Sequence, residues 1–141
     1  MLLSQLLDSK GYTIHAIAPG ASVIDAIRSM AENHVGALLV MQGQELAGIV
    51  SERDYARKVI LLGRSSSTTA VREIMSTPVV TLPPESTVDT AMRLMTERRI
   101  RHLPVVDAGR VVGVVSIGDL VKCVIDDQRH TIDDLNSYIR G

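Results

Sequence analysis

Apolar residues recur at helical spacing in two separate stretches, Val23, Ala26, Ile27 and Met30, then Val88, Ala91, Met92 and Met95. Steps of three and four residues put each set on one face, so both stretches predict amphipathic helices. Ser22 with Asp25, and Ser86 with Asp89, stand where capping pairs would open them. After each helix comes a short apolar run, 37–41 and 103–106, too short for a helix and consistent with a buried strand. Segments 42–45 and 107–110 each carry a glycine and predict hairpin turns. Second strands are expected at 46–50 and 111–115, and a second helix after Ser51 and Ser116. With a short leading strand at 13–17 or 78–82, each unit reads strand, helix, strand, strand, helix.

The two stretches are copies of one another. Shifted by 65 residues, 14–60 aligns with 79–125 without a gap, and fourteen of the 47 positions are identical, among them Pro19/Pro84, Arg28/Arg93, Gly48/Gly113, Ser51/Ser116 and Asp54/Asp119. A unit of about 50 residues buries little surface alone, so the two are expected to pack face to face as one body. The fold class is therefore α/β, in an α+β arrangement. Two tandem β-α-β-β-α repeats, at 10–62 and 75–126, are related by pseudo-two-fold symmetry. A Ser/Thr-rich linker is expected at 63–74, centred on 63–69, and the rest, 127–141, forms a C-terminal helix. Leu3, Leu6 and Leu7 mark a short N-terminal amphipathic helix. Ile132, Leu135 and Ile139 mark the C-terminal one, opened by Thr131 with Asp134 three residues on.

Composition narrows the function. The chain has 141 residues, 15 basic against 16 acidic, for a net charge of −1. That balance argues against a dedicated nucleic-acid or anionic-membrane surface. With no Phe, no Trp and three Tyr, the core must be aliphatic, and bases have no row of aromatics to stack on. No apolar run approaches the length of a membrane span. The N-terminal Met-Leu-Leu-Ser-Gln-Leu-Leu-Asp lacks the charged leader and cleavage site of a signal peptide, so a cytoplasmic location is expected. Cys123 is the only cysteine, which excludes an internal disulfide; its apolar neighbours predict a packing role. The histidines at 15, 34, 102 and 130 show no ligand spacing, so no metal is expected. Asp126-Asp127 and Asp133-Asp134 read as cap and surface acids, and no catalytic nucleophile–base set can be assigned.

The chemically loaded positions are Ser51-Glu-Arg-Asp54 and Ser116-Ile-Gly-Asp119. Serine with an acid three residues later is a capping box, which explains the pattern structurally. The same arrangement also suits a ligand. A carboxylate can accept both hydroxyls of a vicinal diol, and a helix N-terminus attracts phosphate. Arg98, Arg99 and Arg101 form a basic cluster beside His102, suited to a solvated helix end or to an anion.

The duplication, together with G-I-V-S-E-R-D at 48–54, R-H-L-P-V-V-D at 101–107 and G-V-V-S-I-G-D at 113–119, resembles a pair of cystathionine-β-synthase-type (CBS) domains, the Bateman module. The resemblance covers roughly residues 10–126 and implies a non-catalytic regulatory module that binds adenine nucleotides in clefts between the repeats. AMP is the first expected ligand, with ADP, ATP, NAD and S-adenosylmethionine as others. It implies a first cleft of Ser51, Asp54, Val80, Ile100, Arg101, His102 and Pro104. It implies a second of Ser116, Asp119, His15, Val35, Gly36, Ala37 and Leu39, where Leu39 stands in place of a frequent proline. With Gly36 and Ala37 opposite Arg101 and His102, the second cleft is expected to be roomier, open to a dinucleotide, and poorer in phosphate contacts. The resemblance also implies a homodimer and a regulated partner protein. A ligand-independent scaffold and a nucleotide-processing enzyme are the competing functions.

Overall fold

The computed structural model describes residues 1–140, and their side chains apart from those at 130, 131, 133, 134 and 137–140. The order is α1 (Leu3–Lys10), β1 (Ala16–Ile17), α2 (Val23–Asn33), β2 (Ala37–Gln42), β3 (Glu45–Ser51), α3 (Glu52–Tyr55), α4 (Val88–Arg98), β4 (His102–Asp107), β5 (Arg110–Ser116) and α5 (Ile117–Arg140). A π-helical turn, Ala56–Ile60, continues α3, and a 3-10 turn, Val71–Glu73, precedes the second repeat.

The duplication is reproduced in detail. β2 pairs antiparallel with β3, and β4 with β5, and each hairpin carries a register shift at the same place, between Val40 and Met41 and between Val105 and Val106. Helices α2 and α4 end on matching left-handed residues, His34 and Arg99. Their apolar faces, Val23, Ala26 and Met30, and Val88, Ala91 and Met95, are buried as the periodicity predicts. The leading strands are shorter than expected. β1 has two residues, parallel to β2, and its counterpart is a single bridge from Leu82 to Val105. Ser22 caps α2, but α4 is capped by Thr87, the residue in register with Ser22, rather than Ser86.

Two expectations about the flanks are corrected. Residues 70–74 do not act as linker: Val71 and Ile74 are fully buried in the first repeat's core, and Met75, expected in the second repeat, packs against the same core. They mirror α1, whose Leu3, Leu6 and Leu7 are buried in the second repeat's core. The Leu3 N–H donates to the Ser86 carbonyl as Val71 N–H does to Ala21, and Leu2 bridges Thr87 as Ala70 bridges Ser22. The offset between these segments is 68 residues rather than 65, so an ungapped comparison misses them. Each repeat is completed by the segment that precedes the other one's leading strand. Burying each leucine of α1 contributes roughly 1.5–3 kcal/mol to that docking.

The second correction is that α5 runs unbroken from Ile117 to Arg140. The expected C-terminal helix is thus continuous with the last helix of the second repeat. The side chains of His130, Thr131, Asp133, Asp134 and Ile139 lie outside the described residues. Among those described, no helix is long and apolar enough to cross a membrane.

Candidate functional site

Both Ser–Asp pairs are reciprocal caps. Asp54 Oδ2 accepts from the Ser51 N–H at 2.9 Å, while Ser51 Oγ accepts from the Asp54 N–H at 3.2 Å. In the second repeat the distances are 2.8 and 3.1 Å. The caps fix each carboxylate at the N-terminus of a helix that starts directly at the end of a strand. Glu52 N–H donates to the Gly36 carbonyl, and Ile117 N–H to that of Arg101, so each helix start is tied to its own repeat's first hairpin strand.

Each pair lines a cleft. The first encloses about 700 Å³ and is lined by Ser51, Asp54, Ile100, Arg101 and His102, with Arg53, Arg57, Lys58, Ser76 and Arg99. Asp54 Oδ1 receives Ser76 Oγ at 3.3 Å and the Lys58 ammonium at 3.2 Å, and Lys58 also donates to the Ile74 carbonyl at 2.8 Å. The structure leaves Val80 and Pro104 out of this lining. Pro104 is buried in β4, its carbonyl accepting from the Leu82 N–H, and Val80 packs against the second repeat's core. Leu82 also bridges Val105, so this segment is paired with β4. Ser76, absent from the sequence reading, arrives because it bridges Ile49 of β3.

The second cleft gathers all seven expected residues, His15, Val35, Gly36, Ala37, Leu39, Ser116 and Asp119, and adds Lys10, His34 and His102. It encloses about 340 Å³, so the expectation of a roomier second cleft is overturned. The reason is the end of α1 and the segment after it: Lys10, Gly11 and Thr13 stand in its wall. Lys10 donates to Asp119 Oδ2 and to the Val114 carbonyl, each at 2.5 Å. Burial pushes the Asp119 carboxyl upward, but the hydrogen bond from Lys10 and the Ser116 N–H outweigh it, and its pKa lies below the usual value. Three histidines, 15, 34 and 102, converge here. Among the described residues, however, no group of three or more His, Cys, Asp or Glu is arranged to hold a metal ion.

His102 lines both clefts, as do Gly36 and Ile49. Burial, followed by the charge of Lys10, lowers the pKa of His102. Lys58 is not among the expected residues, although its spacing, four residues after Asp54 on the same helix, is a signal for it. The sequence gives no sign of Lys10, which is 109 positions from its partner.

Two β-α-β-β-α repeats, each contributing a capped Ser–Asp pair to a cleft walled by the other, define a tandem-repeat binding module. The family model for the CBS domain matches residues 12–61 and 71–126, and the chain belongs to that family as a pair of CBS domains. It is 47% identical over 125 residues to the mitochondrial CBS domain-containing protein CBSX3 of Arabidopsis thaliana, covering 85% of this chain and 61% of that protein's length. A solved CBS-domain protein from Burkholderia ambifaria is 51% identical with a TM-score of 0.88, over 91% of this chain and 96% of the other. A CBS domain protein from Pyrobaculum aerophilum, solved in complex with AMP, is 25% identical with a TM-score of 0.75, over 84% and 89% of the two chains.

Proposed function

We propose that this CBS pair is a regulatory, non-catalytic module that binds adenosine-containing ligands, AMP foremost, in its two clefts and passes their occupancy to a partner protein. The observation that carries the reading is the placement of Asp54 and Asp119. Each is a carboxylate held at a helix N-terminus, opening into a cleft with residues of the other repeat across from it. Such a carboxylate suits ribose hydroxyls, and the adjoining helix start suits phosphate. The AMP complex of the Pyrobaculum relative supports the same ligand class. Within this reading, Ser51, Asp54, Ile100, Arg101 and His102 serve the first cleft. Ser116, Asp119, His15, Val35, Gly36 and Ala37 serve the second. Val80 and Pro104 support the first from outside its lining.

The module acts as a homodimer in this reading, in the cytoplasm. Exposed apolar side chains support the pairing: Ile60, Leu61 and Leu62 of the first repeat, and Val121, Ile125, Ile132 and Leu135 along α5. Ile60 and Ile125 occupy matching positions of the duplication.

A thermal-shift screen of AMP, ADP, ATP, NAD and S-adenosylmethionine, followed by calorimetry, tests the proposal. AMP is expected to raise Tm, because it binds the native state. Asp54→Ala is expected to weaken binding by about 1.5–3 kcal/mol at the first cleft, the worth of hydrogen bonds to a charged group. Since Asp54 also caps a helix, 2′-deoxy-AMP on the unaltered protein provides the independent arm and should bind more weakly than AMP. The reciprocal caps are complete without a ligand, which favours a scaffold as the second reading. A Tm indifferent to every nucleotide would favour that scaffold.

A further inference from the structure

Among the described residues lining the second cleft there is one lysine and no arginine. That lysine, Lys10, is already engaged with Asp119 Oδ2 and the Val114 carbonyl. The Ser116 N–H donates to the same oxygen, so Oδ2 is filled from the protein side. The first repeat is arranged differently. Its lysine, Lys58, belongs to the same helix as Asp54 and contacts Oδ1, and Arg53, Arg57 and Arg101 stand around the same cleft. The position matching Lys58 in the second repeat is Cys123, buried in the core. The second repeat therefore lacks a helix-borne cation at its carboxylate, and α1 brings one across from the far end of the chain.

We propose, resting on the nucleotide reading above, that Lys10 makes the second cleft selective for phosphorylated over neutral nucleosides. Ligand hydroxyls that engage both oxygens of Asp119 must displace the ammonium from Oδ2. A neutral nucleoside offers the displaced ammonium no anion, and a charge-assisted hydrogen bond is lost. A nucleoside phosphate brings an anion into the same cleft, and the flexible four-carbon stem lets Lys10 transfer to it. The side chain is 33% exposed and so has room to swing. At the first cleft, charge selectivity is spread over several cations. At the second, one lysine carries it, beside the three histidines of the lining.

The test is an NMR titration of the isotope-labelled full chain with adenosine and with AMP, following amides of each cleft separately. The unaltered protein is expected to prefer AMP at the second cleft by about tenfold or more. Lys10→Met is expected to bring the two ligands within about threefold of each other, chiefly by tightening adenosine, whereas Lys10→Arg keeps the preference. Taking the ratio within one variant cancels any loss of stability common to both ligands. A ratio unchanged by Lys10→Met, or both ligands weakened alike, overturns the proposal and leaves Lys10 as a clasp for α1. Binding at the first cleft with the second empty in every form also overturns it. If neither cleft takes either ligand, the nucleotide reading itself falls, and the selectivity with it.

Discussion

His102 stands against Gly36: a Cβ added to Gly36 would lie 3.4 Å from the imidazole Cε1. His102 opens β4 and Gly36 immediately precedes β2, the first hairpin strands of opposite repeats, and both line both clefts. One imidazole is therefore a wall shared by two sites, and its small neighbour leaves it the space.

That position makes stability depend on pH. Burial and the charge of Lys10, with Arg101 adding to it, lower the pKa of His102, while Asp119 and Glu52 oppose the shift. Because the folded pKa lies below the unfolded value, the unfolded chain binds more protons between the two, and stability rises with pH there. The Tm is expected to fall as pH drops below about 6.5, the ordinary histidine value. Replacing His102→Gln should flatten that fall. Parallel Tm–pH curves for the two proteins would exclude His102 as the source.

Arg101 is exposed at the first cleft and forms no ion pair among the described residues. A guanidinium free to meet a phosphate predicts that Arg101→Ala weakens AMP by about tenfold while changing adenosine little at that cleft. The effect at the second cleft should be small. Equal losses for both ligands, read by site-resolved titration, would refute a phosphate role.

Gly48 and Gly113 occupy matching strand positions, and each receives a side chain from a flanking segment. A Cβ at Gly113 would lie 2.7 Å from Leu7 Cδ2; one at Gly48 would lie 2.6 Å from Met75 Sδ and 3.1 Å from the Ser76 carbonyl. Substitution by alanine is expected to cost about 1–3 kcal/mol at either site through overpacking. Urea unfolding of Gly113→Ala should show the loss, and a further Leu7→Ala change should recover part of it. No recovery would mean that α1 is not what the glycine accommodates.

Ile125 is 43% exposed on α5 and Ile60 is 57% exposed at the matching place. If these faces meet in a dimer, Ile125→Glu should shift light scattering from twice the chain mass to 15.3 kDa. An unaltered protein that is already monomeric at micromolar concentration would remove the dimer from the reading.

The hydrophobic periodicity and the 65-residue duplication determined the two units, the faces of α2 and α4, the hairpins and both Ser–Asp caps. All of these depend on contacts within about a dozen positions or on exact register between copies. The equivalence of α1 with residues 70–75 is not legible in the chain, because three extra residues break the register and Leu3, Leu6 and Leu7 on one side correspond to Val71, Ile74 and Met75 on the other, with no identity to mark the match. Residues 70–74 read as linker along the chain, although the hydrogen bond from Val71 N–H to the Ala21 carbonyl docks them on the first repeat and Val71 and Ile74 are buried there. The clefts divided in the same way. Asp54 and Asp119 were legible from their own helix starts, whereas Ser76 and Lys10 reach them only through packing. The space in the second cleft is likewise set by packing. Small residues at 36 and 37 promise room along the chain, but His102 stands against Gly36, and Lys10, Gly11 and Thr13 wall the cleft. Local spacing can specify a cap, and only the tertiary structure brings a lysine to a carboxylate 109 residues away.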